Sequence, residues 1–151
     1  EIFLSLGYRV KKIKNYRKTT IPVWFNYPNL IEGMQIIRPY QVVQSDITYF
    51  NVDGRFYYLV FIVDVYTREI LGYNVGDNMR AGCNVKALKM ALSKIPVEER
   101  SSMIHHSDRG SQYGSKEYID LLKANCISIS MGEIAQDNAF AERVNGTIKN
   151  E

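Results

Sequence analysis

Cysteine is scarce in this 151-residue chain: Cys83 and Cys126 stand alone, with no CxxC pair and no histidine at ligand spacing. A sulfur–imidazole cluster of the kind that holds structural zinc is therefore excluded. Both cysteines are expected to be buried free thiols of a reducing compartment rather than a disulfide. No run of about 18 apolar residues exists and no signal-peptide pattern opens the chain, so no membrane segment is expected. Internal repeats and low-complexity tracts are missing as well, which leaves no solenoid or array to consider.

Apolar residues are plentiful instead, at 46% of the chain. That is enough to bury a core at a length typical of one domain. Glu1 stands where a methionine would, and the last residues stop inside a helical pattern. The chain is thus expected to be a piece of a longer protein, cut at both ends.

The formal charge of +3 hides an asymmetry. Residues 1–38 carry seven basic residues (Arg9, Lys11, Lys12, Lys14, Arg17, Lys18, Arg38) against Glu1 and Glu32, a net of +5. The remainder has 12 basic and 14 acidic residues. A basic arm and linker over residues 1–38, joined to a mildly acidic body over 39–151, reads equally as a handle for a polyanion and as a solvated connector.

Periodicity supplies the elements. Gly7–Lys18 reads as a basic helix or an extended arm. Residues 21–39, punctuated by Pro22, Pro28, Gly33 and Pro39, read as a connecting loop that Trp24 and Phe25 pin to the body. From Gln41 the residues alternate: Val43, Ser45, Ile47 and Tyr49 form one strand face, Gln44, Asp46 and Thr48 the other. Asp53-Gly54 predicts a hairpin turn. The apolar run up to Asp64 predicts a central strand covered on both faces, and residues 69–75 a third strand. A helix over 80–94, a strand over 103–106, a helix over 115–124, a strand over 127–130 and a last helix from about Asn138 complete the order. Three strands in a meander followed by alternating helix and strand predict an α/β fold, a mixed sheet with helices on its faces.

Three carboxylates sit where such a sheet could gather them. Asp46 lies mid-strand, Asp108 just beyond the 103–106 strand, and Glu142 in the first turns of the last helix, where it shares a side with Asn145 and Lys149. Cleaving a phosphodiester calls for stabilising the attacking and the leaving oxygen together. Two divalent ions bridged by a carboxylate do this, and magnesium takes oxygen ligands alone. On residue types the triad is a permissible metal site. It is equally a solvated strand aspartate, a turn-forming aspartate in Ser-Asp-Arg-Gly, and a surface glutamate.

Four segments then become specific. Gln44-Ser45-Asp46-Ile47-Thr48-Tyr49, His106-Ser107-Asp108-Arg109-Gly110-Ser111-Gln112-Tyr113, and Asp137-Asn138-Ala139-Phe140-Ala141-Glu142 with its continuation to Asn145, Lys149 and Glu151 resemble, in order, the three acidic boxes of insertion-sequence DDE transposases with a retroviral-integrase-type core. Asp64–Tyr73 is similar to the segment those proteins carry between the first two boxes. The resemblance spans roughly residues 18–151. It implies a ribonuclease-H-like fold with a mixed five-stranded sheet. It implies that Asp46, Asp108 and Glu142 hold two magnesium or manganese ions, with Asp46 bridging them. It implies metal-dependent cleavage and strand transfer on DNA, at transposon ends and target, by a homo-oligomer in the bacterial cytoplasm at the nucleoid. Asp64 falls outside the triad and is expected to be a structural or turn residue.

The chain departs from the family pattern in two places. Only 33 residues separate Asp108 from Glu142, slightly fewer than usual, with the shortening in Met131–Gln136; a change there is expected to loosen Glu142. Val43 replaces an aromatic common before the first aspartate, a packing change. His106, Arg109, Gln112, Tyr113, Asn145 and Lys149 are candidate DNA contacts, and His106 is alternatively an orienter of Asp108 or a structural histidine. A degenerate, non-catalytic DNA-binding or assembly module and a ribonuclease H proper are the competing functional readings.

Overall fold

The alternation after Gln41 becomes β1 (Val42–Val52), paired antiparallel with β2 (Arg55–Asp64) through a two-residue turn. Asp53 and Gly54 both take positive φ there, 50° and 81°. That backbone suits the primed turns whose twist matches a hairpin. In the computed structural model, residues 27–132 are described together with Arg143 and Gly146. The arm at residues 1–26, Trp24 and Phe25 included, therefore lies outside the described residues. So do Glu142, Asn145 and Lys149.

After β2 the chain forms β3 (Ile70–Gly76), then α1 (Ala81–Lys94), the single-turn α2 (Val97–Arg100), β4 (Ile104–Ser107), α3 (Lys116–Ala124) and β5 (Ser128–Met131). The sheet order is β3-β2-β1-β4-β5. β3, β2 and β1 run antiparallel to one another, while β1–β4 and β4–β5 are parallel. This is the mixed five-stranded sheet that the element order predicts. The short α2 is an addition: four residues behind Pro96 are too few to show a period.

One face of the sheet carries the main core. Val43, Val60, Ile62 and Leu71 meet Val85, Leu88, Ala91 and Leu92 of α1 and Tyr118, Ile119 and Leu122 of α3. Phe61 and Val63 form a second buried cluster with Leu59 against it. Since strand neighbours point to opposite faces, β2 is covered on both sides, as its apolar run predicts. The Asp46 side of β1 follows suit: Gln44 and Thr48 are buried too. The polar face of that alternation is thus covered at Gln44 and Thr48, with Asp46 between them only half-buried.

Irregular backbone is held by side chains that accept its N–H groups. Asp64, fully buried, takes the amides of Tyr66 and Thr67 on Oδ1 and of Tyr40 on Oδ2, at 2.8, 3.0 and 2.6 Å. It is the turn residue expected, anchoring the loop before β1 to the end of β2. Arg100 donates to the Leu92 and Ile95 carbonyls and to Asn125, satisfying acceptors that the end of α1 leaves open. The cysteine expectation is corrected: both are free, but Cys83 is half-buried and Cys126 exposed. Cys126 occupies the left-handed turn after α3 (φ 58°), outside the core.

Helix α1 lies directly on β3 at Gly72. A Cβ there would stand 2.2 Å from the Ala87 carbonyl oxygen and 2.7 Å from the Ala91 nitrogen. Both are backbone atoms of a packed helix and have no rotamer to yield. Gly72→Ala is expected to push α1 off the sheet and lower the melting temperature by about 5 °C or more; an unchanged melt by circular dichroism would contradict this packing.

His105 makes stability depend on pH. Burial, reinforced by neighbouring His106 and partly offset by a bond to its own backbone, lowers its pKa from 6.5 to about 3. The folded protein keeps the ring neutral while the unfolded chain protonates it below about 6.5. Stability is fully present above pH 6.5 and falls toward pH 3, by up to about 1.4 kcal/mol per pH unit from this residue. Urea titrations between pH 4 and pH 7 are expected to show a shallower pH slope for His105→Gln than for the parent protein. Equal slopes would refute the assignment.

Candidate active site

Asp46 sits midway along β1, opposite Phe61 of β2. It is half-buried, and its Oδ1 accepts the Ile47 amide at 2.8 Å. On the other flank β1 runs parallel to β4, and their last pair is Gln44 with His106. Asp46 lies two residues further along β1, and Asp108 two residues past His106, just beyond the end of β4. Adjacent strands are about 4.8 Å apart, and the parallel register brings the two aspartates to the same end of neighbouring strands. Both carboxylates act on one group, the Tyr113 hydroxyl, an independent sign that they share a locality.

The chain turns sharply beyond Asp108. Asp108 Oδ1 accepts the Gly110 amide at 2.9 Å, and the Tyr113 amide donates to the Gly110 carbonyl at 3.0 Å. A Cβ on Gly110 would stand 2.9 Å from Asp108 Oδ1 and 3.1 Å from Gln112 Oε1. The missing side chain is what lets this turn close over the carboxylate.

That turn delivers Tyr113 to the interior. Its hydroxyl lies 3.1 Å from Ser45 Oγ, which lies 3.1 Å from the Phe61 carbonyl. Serine has one proton to give. If it goes to the carbonyl, the Tyr113 hydroxyl donates to Ser45 Oγ. Burial, then Asp108, Asp46 and Tyr118, push the Tyr113 pKa well above its usual range, with the Ser45 bond opposing. The phenol therefore stays protonated and able to donate. His105, Tyr113 and Tyr118 pack as three tilted or edge-on rings, and Tyr118 Oη lies 2.8 Å from His105 Nε2. The residue before Asp46 is thus clamped to the loop after Asp108. Ser45 as a partner of Tyr113 was missed at the sequence level, though each falls inside an acidic box.

Several expected DNA contacts are placed elsewhere. His106 is fully buried, with Nδ1 2.8 Å from Ser130 Oγ, its cross-strand neighbour on β5. That same Oγ accepts the Leu30 amide at 2.8 Å. His106 thereby ties β4 to β5 and to the segment before β1. Tyr113 and Gln112 are buried as well, 2% and 9% exposed; they support the site from inside instead of lining a groove. Arg109 is half-buried.

Among the described residues no three His, Cys, Asp or Glu side chains form a metal-sized group. The pair Asp46–Asp108 is what those residues provide, and Glu142 lies outside them. Two neighbouring carboxylates suit a hard, oxygen-seeking divalent cation.

Residues 37–136 match the family described as integrase core domain. The insertion element IS600 uncharacterized 31 kDa protein of Shigella sonnei is 38% identical over 97% of this chain and 55% of its own length. The transposase for insertion sequence element IS629, also of Shigella sonnei, is 38% identical over 74% of this chain and 38% of its own. Transposase InsF for insertion sequence IS3A of Escherichia coli is 32% identical over 85% and 44%. The chain therefore spans about half the length, or less, of these relatives. Among solved structures, the HTLV-2 integrase catalytic core domain in complex with magnesium superposes with a TM-score of 0.60 at 21% identity, over 74% of this chain and 68% of that one. The simian T-cell lymphotropic virus intasome in complex with PP2A regulatory subunit B56 gamma gives 0.66 at 17%, over 89% and 45%. The fold is ribonuclease-H-like. With the family matched across most of the described residues and the two acidic boxes at the same end of paired strands, this chain belongs to the integrase core domain family.

Proposed function

We propose that this chain is the catalytic core of an insertion-sequence transposase, a divalent-metal-dependent polynucleotidyl transferase that cleaves DNA at the element's ends and joins it to a target. One observation carries the reading: Asp46 on β1 and Asp108 just past the end of β4 lie at the same end of two paired parallel strands, with the Ser45–Tyr113 contact tying the strand to the turn after Asp108. The magnesium named with the HTLV-2 core supports the choice of ion.

Asp46, flanked by β2 and β4, would hold magnesium or manganese ions together with Asp108 and Glu142. When bound, the ions supply the charge that stabilises the attacking and leaving oxygens of an in-line displacement. The chain's own part is positional. The Gly110 amide orients Asp108, the Ile47 amide orients Asp46, and the Ser45–Tyr113 hydroxyl contact ties the strand to the turn beside them. Outer partners of this kind commonly contribute about 10–100-fold in metal affinity or activity.

Arg109, Asn145 and Lys149 are proposed to meet DNA phosphates, and the basic arm at residues 1–38 adds a salt-dependent hold on the duplex. The active assembly is a homo-oligomer, as the intasome among the structural neighbours suggests, and it works on nucleoid DNA in the cytoplasm. Among the described residues no helix is long and apolar enough to cross a membrane.

Asp46→Asn and Asp108→Asn are expected to abolish magnesium-dependent cleavage of a duplex carrying the element's end while leaving the thermal melt intact. Gly110→Ala is expected to cut the rate by about 10–100-fold through the displaced Asp108, again without loss of fold. Cleavage that persists in Asp46→Asn, or needs no metal, would overturn the assignment. Preference for an RNA–DNA hybrid over the duplex end would reassign the site to a ribonuclease H.

A further inference from the structure

The hairpin arm made by the end of β1 and the start of β2 carries Tyr49, Phe50, Phe56, Tyr57 and Tyr58. All five are half-buried, and neither apolar cluster includes them. So many rings outside a core call for a reason. Packing across the strands accounts for one pair. Tyr49 and Phe56 meet edge-on, at 61° and 5.9 Å between centroids, so that the edge of one ring covers the face of the other.

Phe50 and Tyr57 are arranged differently. They lie directly opposite each other across the hairpin, 5.9 Å between centroids and only 21° from parallel. Each ring is only half-buried, and a third flat ring extends a near-parallel stack. The pair is also on the right side of the sheet. The register Asp46–Phe61, Thr48–Leu59, Phe50–Tyr57, read with the two-residue period of a strand, sets both rings on the Asp46 face. Four residues of strand separate Phe50 from Asp46, about 13 Å. That is about four nucleotides of a B-form strand and fewer of an unstacked one. The same face carries a further exposed ring, Tyr73, 54% exposed, which extends the Asp46–Phe61 row onto β3.

We propose that Phe50 and Tyr57 form a stacking platform for an unpaired base of the DNA strand engaged at Asp46, so that this core binds a frayed or overhanging end in preference to a blunt one. The proposal rests on the DNA-processing reading of the site. Bases within a duplex are already stacked on one another, so an aromatic platform selects those that have left it. It is tolerant of sequence, because every base has a π-face.

The test uses the full 151-residue chain and fluorescence anisotropy with two labelled DNAs of the same sequence, one blunt and one with a short thymidine overhang. The parent protein is expected to bind the overhang more tightly. Phe50→Ala and Tyr57→Ala are expected to weaken that binding by about ten-fold while changing blunt-duplex binding less than about two-fold. Tyr57→Trp, which keeps a stacking face, is expected to retain the preference. Melting curves identify any variant that fails to fold, and Tyr57→Trp then carries the test alone by retaining or losing the preference. Equal affinity of the parent for both DNAs, equal weakening on both, or a shift in sedimentation that shows the rings covering a second copy of the chain would each overturn the platform. Asp46→Asn separates the two proposals: it is expected to lose cleavage and keep the overhang preference. Parental cleavage without an overhang preference refutes the platform alone. The preference without any metal-dependent cleavage sustains the platform and refutes the catalytic reading.

Discussion

Parallel pairing between β1 and β4 sets the distances that matter at this site. An antiparallel neighbour would carry its downstream residues away from Asp46, as β2 does when it runs from Phe61 to Asp64. A parallel one advances with β1, so the chain leaving His106 heads the same way as the chain leaving Gln44. Such a pairing needs a long crossover, and the chain between β3 and β4 provides it as α1 and α2. The packing of α1 on Gly72 is therefore a condition of the site's geometry although it lies on the far side of the sheet. A helix seated higher on β3 would change where β4 enters.

The polar groups buried around that pairing act on it in the same direction. His106 bridges β4 to Ser130 of β5, Ser45 joins β1 to Tyr113, and Asp64 gathers three amides at the end of β2. Unpaired, each would cost roughly 1–3 kcal/mol of desolvation. Paired, each fixes two segments in one register. An apolar core tolerates sliding between similar shapes far better than it tolerates a broken hydrogen bond. The interior around β1 and β4 is thus specified by polar contacts, and the interior around α1 by fit.

Much of this was legible in the residues because local signals agreed with the fold. The Asp53-Gly54 turn, the apolar run of β2 and the helical spacing after Arg80 each name an element, and each is present with its ends within a residue or two. Three things resisted. The Asp46 side of β1 reads as polar, yet Gln44 and Thr48 are buried, because alternation reports side-chain chemistry and not what covers it. His106, Gln112 and Tyr113 sit in a box that resembles a catalytic one, which invites a surface role. Burial instead makes them the inner support, and nothing in a linear pattern separates a residue that touches substrate from one that holds the residue that does. The four-residue α2 is shorter than any period that could announce it. The placement of Asp46 and Asp108 at one end of paired strands was legible only through resemblance; it follows from a strand register, and register is a property of pairs of segments.

Electrostatics gives the paired aspartates a further meaning. Two neighbouring carboxylates repel when both are ionised, by an amount that depends on how far water screens them. The fold keeps them there with amide donors, Ile47 to Asp46 and Gly110 to Asp108, and each such bond favours the ionised form. A protein that needed these residues only for structure would do better with asparagine, which makes similar bonds without the repulsion. Two carboxylates gathered at one end of paired strands and half open to solvent are sensible where a divalent cation turns repulsion into ligation. The arrangement resists collapse in the free protein and gains when the ion arrives, which is the behaviour expected of a preorganised metal site.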